Sequence, residues 1–122
     1  MDYYEKNAPA CTVNVLGTGY AIYLDVPESE DAALLLCDGF CDKTVKRIVI
    51  CEKSESSDLA DWKQYRNTCI RHELVHAFMF ESGFSNNFRC DRTDEEHPEL
   101  LVEWFAIQFP KMLKAFEEAG AL

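Results

Sequence analysis

The sequence TCIRHELVHAF, residues 68–78, decides how this chain folds and what its centre can bind. Residues four apart lie above one another on the same face of an α-helix. His72 and His76 therefore present two imidazoles to one point in space. Glu73 follows His72 directly and can reach a water molecule next to a metal ion held there. The spacing predicts two metal ligands and a general base on one helix.

The helix that carries this motif is predicted to run from near Asp58 to about Glu81. Acidic residues suit its N-terminal end, and Gly83 suits the position after its last turn. The second half is apolar on most faces, so we expect it to be buried between other elements. Imidazoles and a carboxylate are costly to bury unless a partner satisfies them. A metal ion does so, and these ligand types favour Zn²⁺.

The rest of the chain predicts one domain, residues 1–122, of the α+β class. Alternating β-branched and aromatic residues indicate short strands, and Gly17 to Gly19 indicates a turn. Helices are expected at Ser29–Leu36 and from Pro98 to Gly120, with Pro110 kinking or restarting the second. The predicted strands are residues 12–16, 20–26, 40–41 and 47–51. We expect a minimal fold in which a small, twisted, mainly antiparallel sheet packs on the motif helix and on a second, glutamate-bearing helix.

The charge and hydropathy of the chain argue against nucleic-acid and membrane partners. The net charge of −10 comes from 22 acidic and 12 basic residues, and such a surface repels nucleic-acid phosphates. No apolar run approaches the roughly 18 residues of a membrane span. The first residues lack the basic start and apolar stretch of a signal peptide, so we expect a cytoplasmic protein.

The six cysteines are read as thiols rather than as a disulfide framework. Without a signal peptide, reduced and mostly buried cysteines are favoured over three disulfides. Cys37 and Cys41 are spaced like metal ligands, but no second Cys or His pair completes a structural zinc site.

A catalytic zinc usually has three protein ligands and one open position, so a third ligand must follow His76. The continuation His-x-x-Gly-x-x-His is excluded, because its last two positions hold Met79 and Ser82 here. Glu99, in the first turn of the second helix, is the first choice, and Glu103, one turn later on the same face, is the second. The remaining rivals are His97, Asp94, Asp91 and Cys90. His97 is also a candidate donor to the transition state, or else an exposed loop histidine.

Three stretches together resemble a known family: residues 72–78, residues 81–83, and the segment from Glu99 to Lys111. They are similar to small phage- and prophage-borne proteins of the ImmA/IrrE group of minimal gluzincins. The resemblance covers about residues 39–119 and is strongest in the two helices. It implies a zinc-dependent peptidase fold, Glu99 as a zinc ligand, and a carboxylate at 103 that orients a ligand histidine. The spacing to the following Phe-Ala differs, which leaves Glu99 and Glu103 both open, and no helix-turn-helix is present, so an antirepressor role is not implied.

These observations predict a zinc endopeptidase of a bacterial-host cytoplasm that acts on peptide or protein substrates. Glu73 would take a proton from the attacking water and pass it to the leaving amine. The strand at residues 47–51 is expected to form the sheet edge beside the cleft, where an extended peptide can pair. One alternative is a phage-derived assembly protein that keeps zinc only for folding, and another is an α+β binding module without metal. The sequence does not fix the oligomeric state.

Overall fold

The computed structural model describes residues 2–87 and 96–122, with side chains for residues 2–85, 101, 104, 105 and 107–122. The first half contains the helix α1 (Tyr3–Lys6), the strands β1 (Cys11–Val15) and β2 (Thr18–Val26), and two 3₁₀ turns, Glu28–Glu30 and Ala32–Leu35. The second half contains the strands β3 (Gly39–Asp42) and β4 (Arg47–Cys51) and the helices α2 (Trp62–Glu81), α3 (Phe84–Asn87) and α4 (Glu96–Glu118).

The four strands form one mixed sheet in the order β1-β2-β4-β3. The β1–β2 and β3–β4 pairs are antiparallel, and the β2–β4 pair is parallel. The α+β class and a mainly antiparallel sheet are therefore confirmed. The first hairpin turns at Leu16 and Gly17, whose φ angles of 53° and 95° suit a two-residue turn. The turn lies earlier than predicted, because Thr18 and Gly19 already belong to β2.

The expectation that residues 47–51 form the sheet edge is wrong. The strand β4 lies between β2 and β3, so β3 is the edge strand on this side of the sheet. Ile48, Val49 and Ile50 are all fully buried. Three consecutive β-branched residues are typical of a strand that is covered on both faces, as an interior strand is.

The helix α2 begins later than predicted and ends where predicted. Asp61 caps it by accepting a hydrogen bond at 3.1 Å from the backbone N–H of Gln64. Gly83, with a φ of 78°, follows the last turn as expected of a C-terminal glycine. The predicted helix from Ser29 to Leu36 is wrong, because this segment forms two 3₁₀ turns and Asp31 caps the second.

The core lies between the sheet and the helices α2 and α4. From α2 it takes Ile70, Leu74, Ala77 and Phe78, which pack on the buried residues of β1, β2 and β4. The indole N–H of Trp104 in α4 donates to Ser82 Oγ at 3.0 Å and so fixes α4 on the end of α2. A restart of the second helix at Pro110 is wrong, because α4 runs through this exposed position as one element.

Five cysteines lie in the described part of the chain, and all five are free. Cys37 is exposed and Cys11, Cys41, Cys51 and Cys69 are half-buried, so the expectation of mostly buried thiols is wrong. Cys90 lies outside the described residues. Across those residues, none of the helices combines the length and the apolar character that crossing a membrane requires.

Glu81 joins the end of α2 to the sheet, and its charge is expected to stabilise the fold. Tyr20 Oη donates to Glu81 Oε2 at 3.0 Å, and Lys46 Nζ lies 3.1 Å from the same oxygen. Burial raises the pKa of Glu81, but hydrogen bonds from Thr18, Lys46 and Tyr20 outweigh it and hold this pKa below the ordinary 4.5. Replacing Glu81 with Gln should therefore cost about 1 kcal/mol of unfolding free energy at pH 7.

The pH dependence of the unfolding free energy tests whether this stabilisation comes from the charge of Glu81. A carboxyl with a lowered folded-state pKa stabilises the fold above its ordinary pKa, and this contribution is lost as the pH falls through the lowered value. Urea unfolding should therefore separate Glu81→Gln from the unmodified protein at pH 7 and bring the two together in acid. The exposed Glu52→Gln is the matched control. An equal difference at both pH values would contradict the charge argument.

Candidate metal centre

The two histidines of the motif converge on one point. Their Nε2 atoms lie 3.2 Å apart, and their ring centroids lie 4.9 Å apart. Two nitrogens bound at about 2.0–2.1 Å to one tetrahedral metal ion are separated by about 3.3–3.4 Å. One ligand atom from each of His72, Glu73 and His76 lies within 4.8 Å of the others. Among the described residues, this is the group that can hold a metal ion.

The three side chains differ in their exposure to solvent. His72 and His76 are exposed, whereas Glu73 is only 8% exposed. The expectation that all three are buried is therefore wrong for the histidines. Glu73 shares the buried stripe of α2 with Ile70 and Ala77, which lie three residues before it and four after. The histidines flank that stripe and open to the cleft described below, so only the carboxylate is desolvated.

Burial raises the pKa of Glu73, and the neighbouring His72 and His76 lower it in part. A carboxylate with a raised pKa accepts and returns a proton nearer to neutral pH than an ordinary one does. The raised pKa of this residue thus follows from its place on the buried stripe rather than from the motif alone.

The edge strand β3 passes this carboxylate at Gly39. A Cβ atom at Gly39 would lie 3.8 Å from Glu73 Cγ, 3.1 Å from the backbone oxygen of Val49 and 2.8 Å from Ile50 Cδ1. Real Cβ atoms almost never approach another heavy atom as closely as the last distance. A Cβ atom here would therefore crowd the neighbouring strand β4, whereas its distance from Glu73 is that of an ordinary contact. Gly39 thus suits the packing of β3 on β4 at the point where β3 passes Glu73.

Cys41, which lines the cleft beside the motif, is held as a neutral thiol. Burial, and next the negative charge of Glu73, raise the pKa of Cys41 to about 11. A metal ligand must be a thiolate, which this environment disfavours. Cys37 is exposed and donates from Sγ to the backbone oxygen of Ala33 at 3.3 Å. Neither Cys37 nor Cys41 belongs to the group of described residues whose ligand atoms lie close enough together to share a metal ion.

A cleft of about 780 Å³ opens above the three motif residues. One wall is α2, including Met79 and Phe80, and the other is β3 with the turn that follows it, including Lys43 and Thr44. Its size falls within the range of about 300–1,000 Å³ that is usual for ligand sites. A chain of 122 residues thus builds two walls of a cleft in addition to its core.

The structure places the third-ligand candidates only in part. Glu99, Glu103 and His97 lie on the helix α4, but their side chains lie outside the described part of the chain. Asp91, Asp94 and Cys90 lie outside the described residues altogether. Glu99 as a ligand, and His97 as a donor to the substrate, therefore stay predictions. The bond from Trp104 to Ser82 does bring the helix that carries them onto the end of the motif helix.

The arrangement as a whole places two accessible nitrogen ligands and one desolvated proton acceptor at the floor of an open cleft. Such a group can bind a metal ion and activate a water molecule next to it. The resemblance to the ImmA/IrrE group stays a prediction from the motif residues and their spacing. Comparisons of the chain with protein-family models, with curated proteins and with solved structures find no match.

Proposed function

We propose that this protein is a zinc-dependent peptidase whose hydrolytic centre consists of His72, Glu73 and His76. The observation that supports it most directly is the 3.2 Å approach of the two Nε2 atoms beside a carboxylate that is only 8% exposed. A site built only to hold a metal has no need of a buried carboxylate that stays outside the ligand pair. A site that must move a proton does need one.

The donor set fits Zn²⁺, which takes imidazole nitrogens and a carboxylate oxygen and keeps a position open in catalytic sites. His72 and His76 would hold it together with Glu99 as the predicted third ligand. When bound, zinc supplies Lewis acidity that polarises a carbonyl and acidifies water. The remaining chemistry belongs to side chains and backbone of this chain.

Glu73 performs the proton transfers. Its carboxylate takes a proton from the attacking water, and the raised pKa lets it retain that proton. It then delivers the proton to the amine that leaves when the peptide bond breaks. Because Glu73 is only 8% exposed, its carboxylate is largely shielded from bulk water.

The edge strand β3 is the element that would hold the substrate backbone. It lines the cleft and has one strand neighbour, β4, among the described strands. An extended peptide can add to such an edge by main-chain hydrogen bonds, which bind substrates of varied sequence. This gives β3 the role that the sequence interpretation assigns to residues 47–51.

Metal content and peptide cleavage test the proposal together. We expect one zinc per chain, and cleavage of members of a proteome-derived peptide library, read by mass spectrometry. Removal of the metal with a chelator should abolish cleavage, and added zinc should restore it. Stoichiometric zinc without cleavage of any peptide, or cleavage that survives metal removal, would overturn the proposal.

The third ligand can be assigned with two variants of α4. Glu99→Gln should weaken zinc binding by more than about 100-fold, because it removes a ligand. Glu103→Gln should weaken it by about 10–100-fold, as expected for a carboxylate that only orients a ligand histidine. Competition with a chromophoric chelator measures both, and Glu117→Gln, exposed near the end of the same helix, is the control. A larger loss in Glu103→Gln would reverse the assignment.

A further inference from the structure

The cleft of this acidic protein contains a lysine. The chain carries a net charge of −10, yet Lys43, in the turn between β3 and β4, lines the same cleft as the motif histidines. Among the described residues that line it, no other lysine or arginine occurs. A cation at this place affects which substrates the cleft attracts.

The position of this ammonium group is set by an aromatic ring. Lys43 Nζ lies 4.9 Å from the centre of the Phe80 ring, a distance at which a cation and a ring attract. Phe80 lies four residues after His76 on α2, so both side chains stand on one face, about 6 Å apart along the axis. Lys43 therefore lies beside the face of α2 that carries His76, in the cleft that both histidines line.

The charge of Lys43 is not neutralised by a neighbour. Its neighbour on the same ring, Lys46, lies 4.6 Å from the ring centre and is paired with Glu81 at 3.1 Å. Lys43 forms no ion pair within the part of the chain that the structure describes. Asp42 is engaged elsewhere, because its Oδ1 accepts from the backbone N–H of Thr44 at 3.0 Å and from the Thr44 hydroxyl at 2.5 Å.

We propose that Lys43 is a specificity-determining residue that binds a carboxylate of the peptide substrate. Because Lys46 is already paired with Glu81, Lys43 is the ammonium group beside Phe80 that is left to attract a substrate carboxylate. The carboxylate is either an Asp or Glu side chain or the free C-terminus of the peptide, since both offer the same chemistry. This inference rests on the proposed peptidase function.

Cleavage specificity tests it directly. The zinc-loaded protein should cut peptides with a carboxylate at one fixed position about three- to fivefold faster than their amide counterparts, the range of an exposed ion pair. Lys43→Ala should remove this preference and Lys43→Glu should invert it. Lys63→Glu makes the same charge change at an exposed position of α2 outside the cleft and should keep the preference. Comparing peptides with free and amidated C-termini shows whether the preferred carboxylate is an Asp or Glu side chain or the C-terminus.

A binding measurement separates this inference from the function on which it rests. Zinc-loaded Glu73→Gln protein is titrated with fluorescent peptide pools that carry Glu, Gln or Lys at one fixed position, with free or amidated C-termini. Cleavage without a preference for carboxylates, or a preference that persists in Lys43→Ala, would overturn the role of Lys43 and leave the peptidase intact. Absence of cleavage, together with carboxylate-dependent binding that Lys43→Ala removes, would overturn the peptidase and retain the role of Lys43 in binding.

Discussion

Replacing Glu73 with Gln is expected to lower the rate of peptide cleavage by about 10²–10⁴-fold, the usual contribution of a positioned general base. Gln has nearly the same shape but cannot take a proton from water. Zinc should still bind, because neither ligand histidine changes. Rates are measured on zinc-loaded protein with a peptide that the unmodified protein cleaves.

The same substitution should stabilise the metal-free protein at neutral pH. Burial raises the pKa of Glu73 in the folded state above its ordinary 4.5. Between the ordinary pKa and the raised pKa, the folded state therefore binds more protons than the unfolded state. The stability of the metal-free protein therefore falls as the pH rises through this interval. Gln is never charged, so it avoids the cost of burying a carboxylate. The gain in unfolding free energy from Glu73→Gln should therefore be absent below the ordinary pKa and should grow towards pH 7.

Glu81→Gln is the matched control for this result. It makes the same chemical change on the same helix, but at a carboxylate whose pKa is lowered rather than raised. Urea unfolding of chelator-treated protein at pH 7 should give stability changes of opposite sign for the two variants, and both changes should disappear in acid. A loss of stability in Glu73→Gln at pH 7, or full cleavage by its zinc-loaded form, would contradict the assignment of Glu73 as a base in a desolvated site.

The parts of the fold that follow from local sequence could be predicted. The β3–β4 hairpin and the end of α2 at Gly83 depend on residues within a few positions of each other. The place of β4 in the sheet could not be read so directly, because its parallel pairing with β2 joins segments more than 20 residues apart. The run Ile48-Val49-Ile50 did contain the signal, since a strand buried on both faces seldom forms an edge.

In the candidate site, too, the features that follow from local sequence could be predicted and those that depend on tertiary contacts could not. The spacing of His72 and His76 predicts their convergence, because helix geometry alone places them together. Which of the three motif residues is buried depends on how α2 is rotated against the sheet, and that rotation is set by tertiary contacts. The approach of Gly39 to Glu73 is likewise invisible to a local pattern. Periodicity also does not fix which residue of α4 supplies the third ligand, because Glu99 and Glu103 lie four residues apart on one helix.

Replacing His72 or His76 with Ala is expected to abolish zinc binding at working concentrations without unfolding the protein. Loss of a ligand should cost more than the roughly 10–100-fold that loss of a supporting carboxylate costs. Both histidines are exposed, whereas the core face of the same helix consists of Ile70, Leu74, Ala77 and Phe78. The unfolding free energy of the metal-free variants should therefore stay within about 0.5 kcal/mol of the unmodified protein, as for most surface substitutions.

Zinc affinity by chelator competition, and urea unfolding followed by circular dichroism, measure the two effects. The exposed Gln64→Ala on the same helix is the control and should change neither. An assembly protein that keeps zinc for folding predicts the reverse result, because metal-binding energy is then folding energy and loss of a ligand unfolds the chain. Such a protein would also be indifferent to Glu73→Gln. In a hydrolytic centre, replacing a ligand histidine with Ala leaves the chain folded but abolishes cleavage, and Glu73→Gln also lowers cleavage. The histidine and Glu73 variants together therefore distinguish a metal that serves catalysis from one that serves only folding.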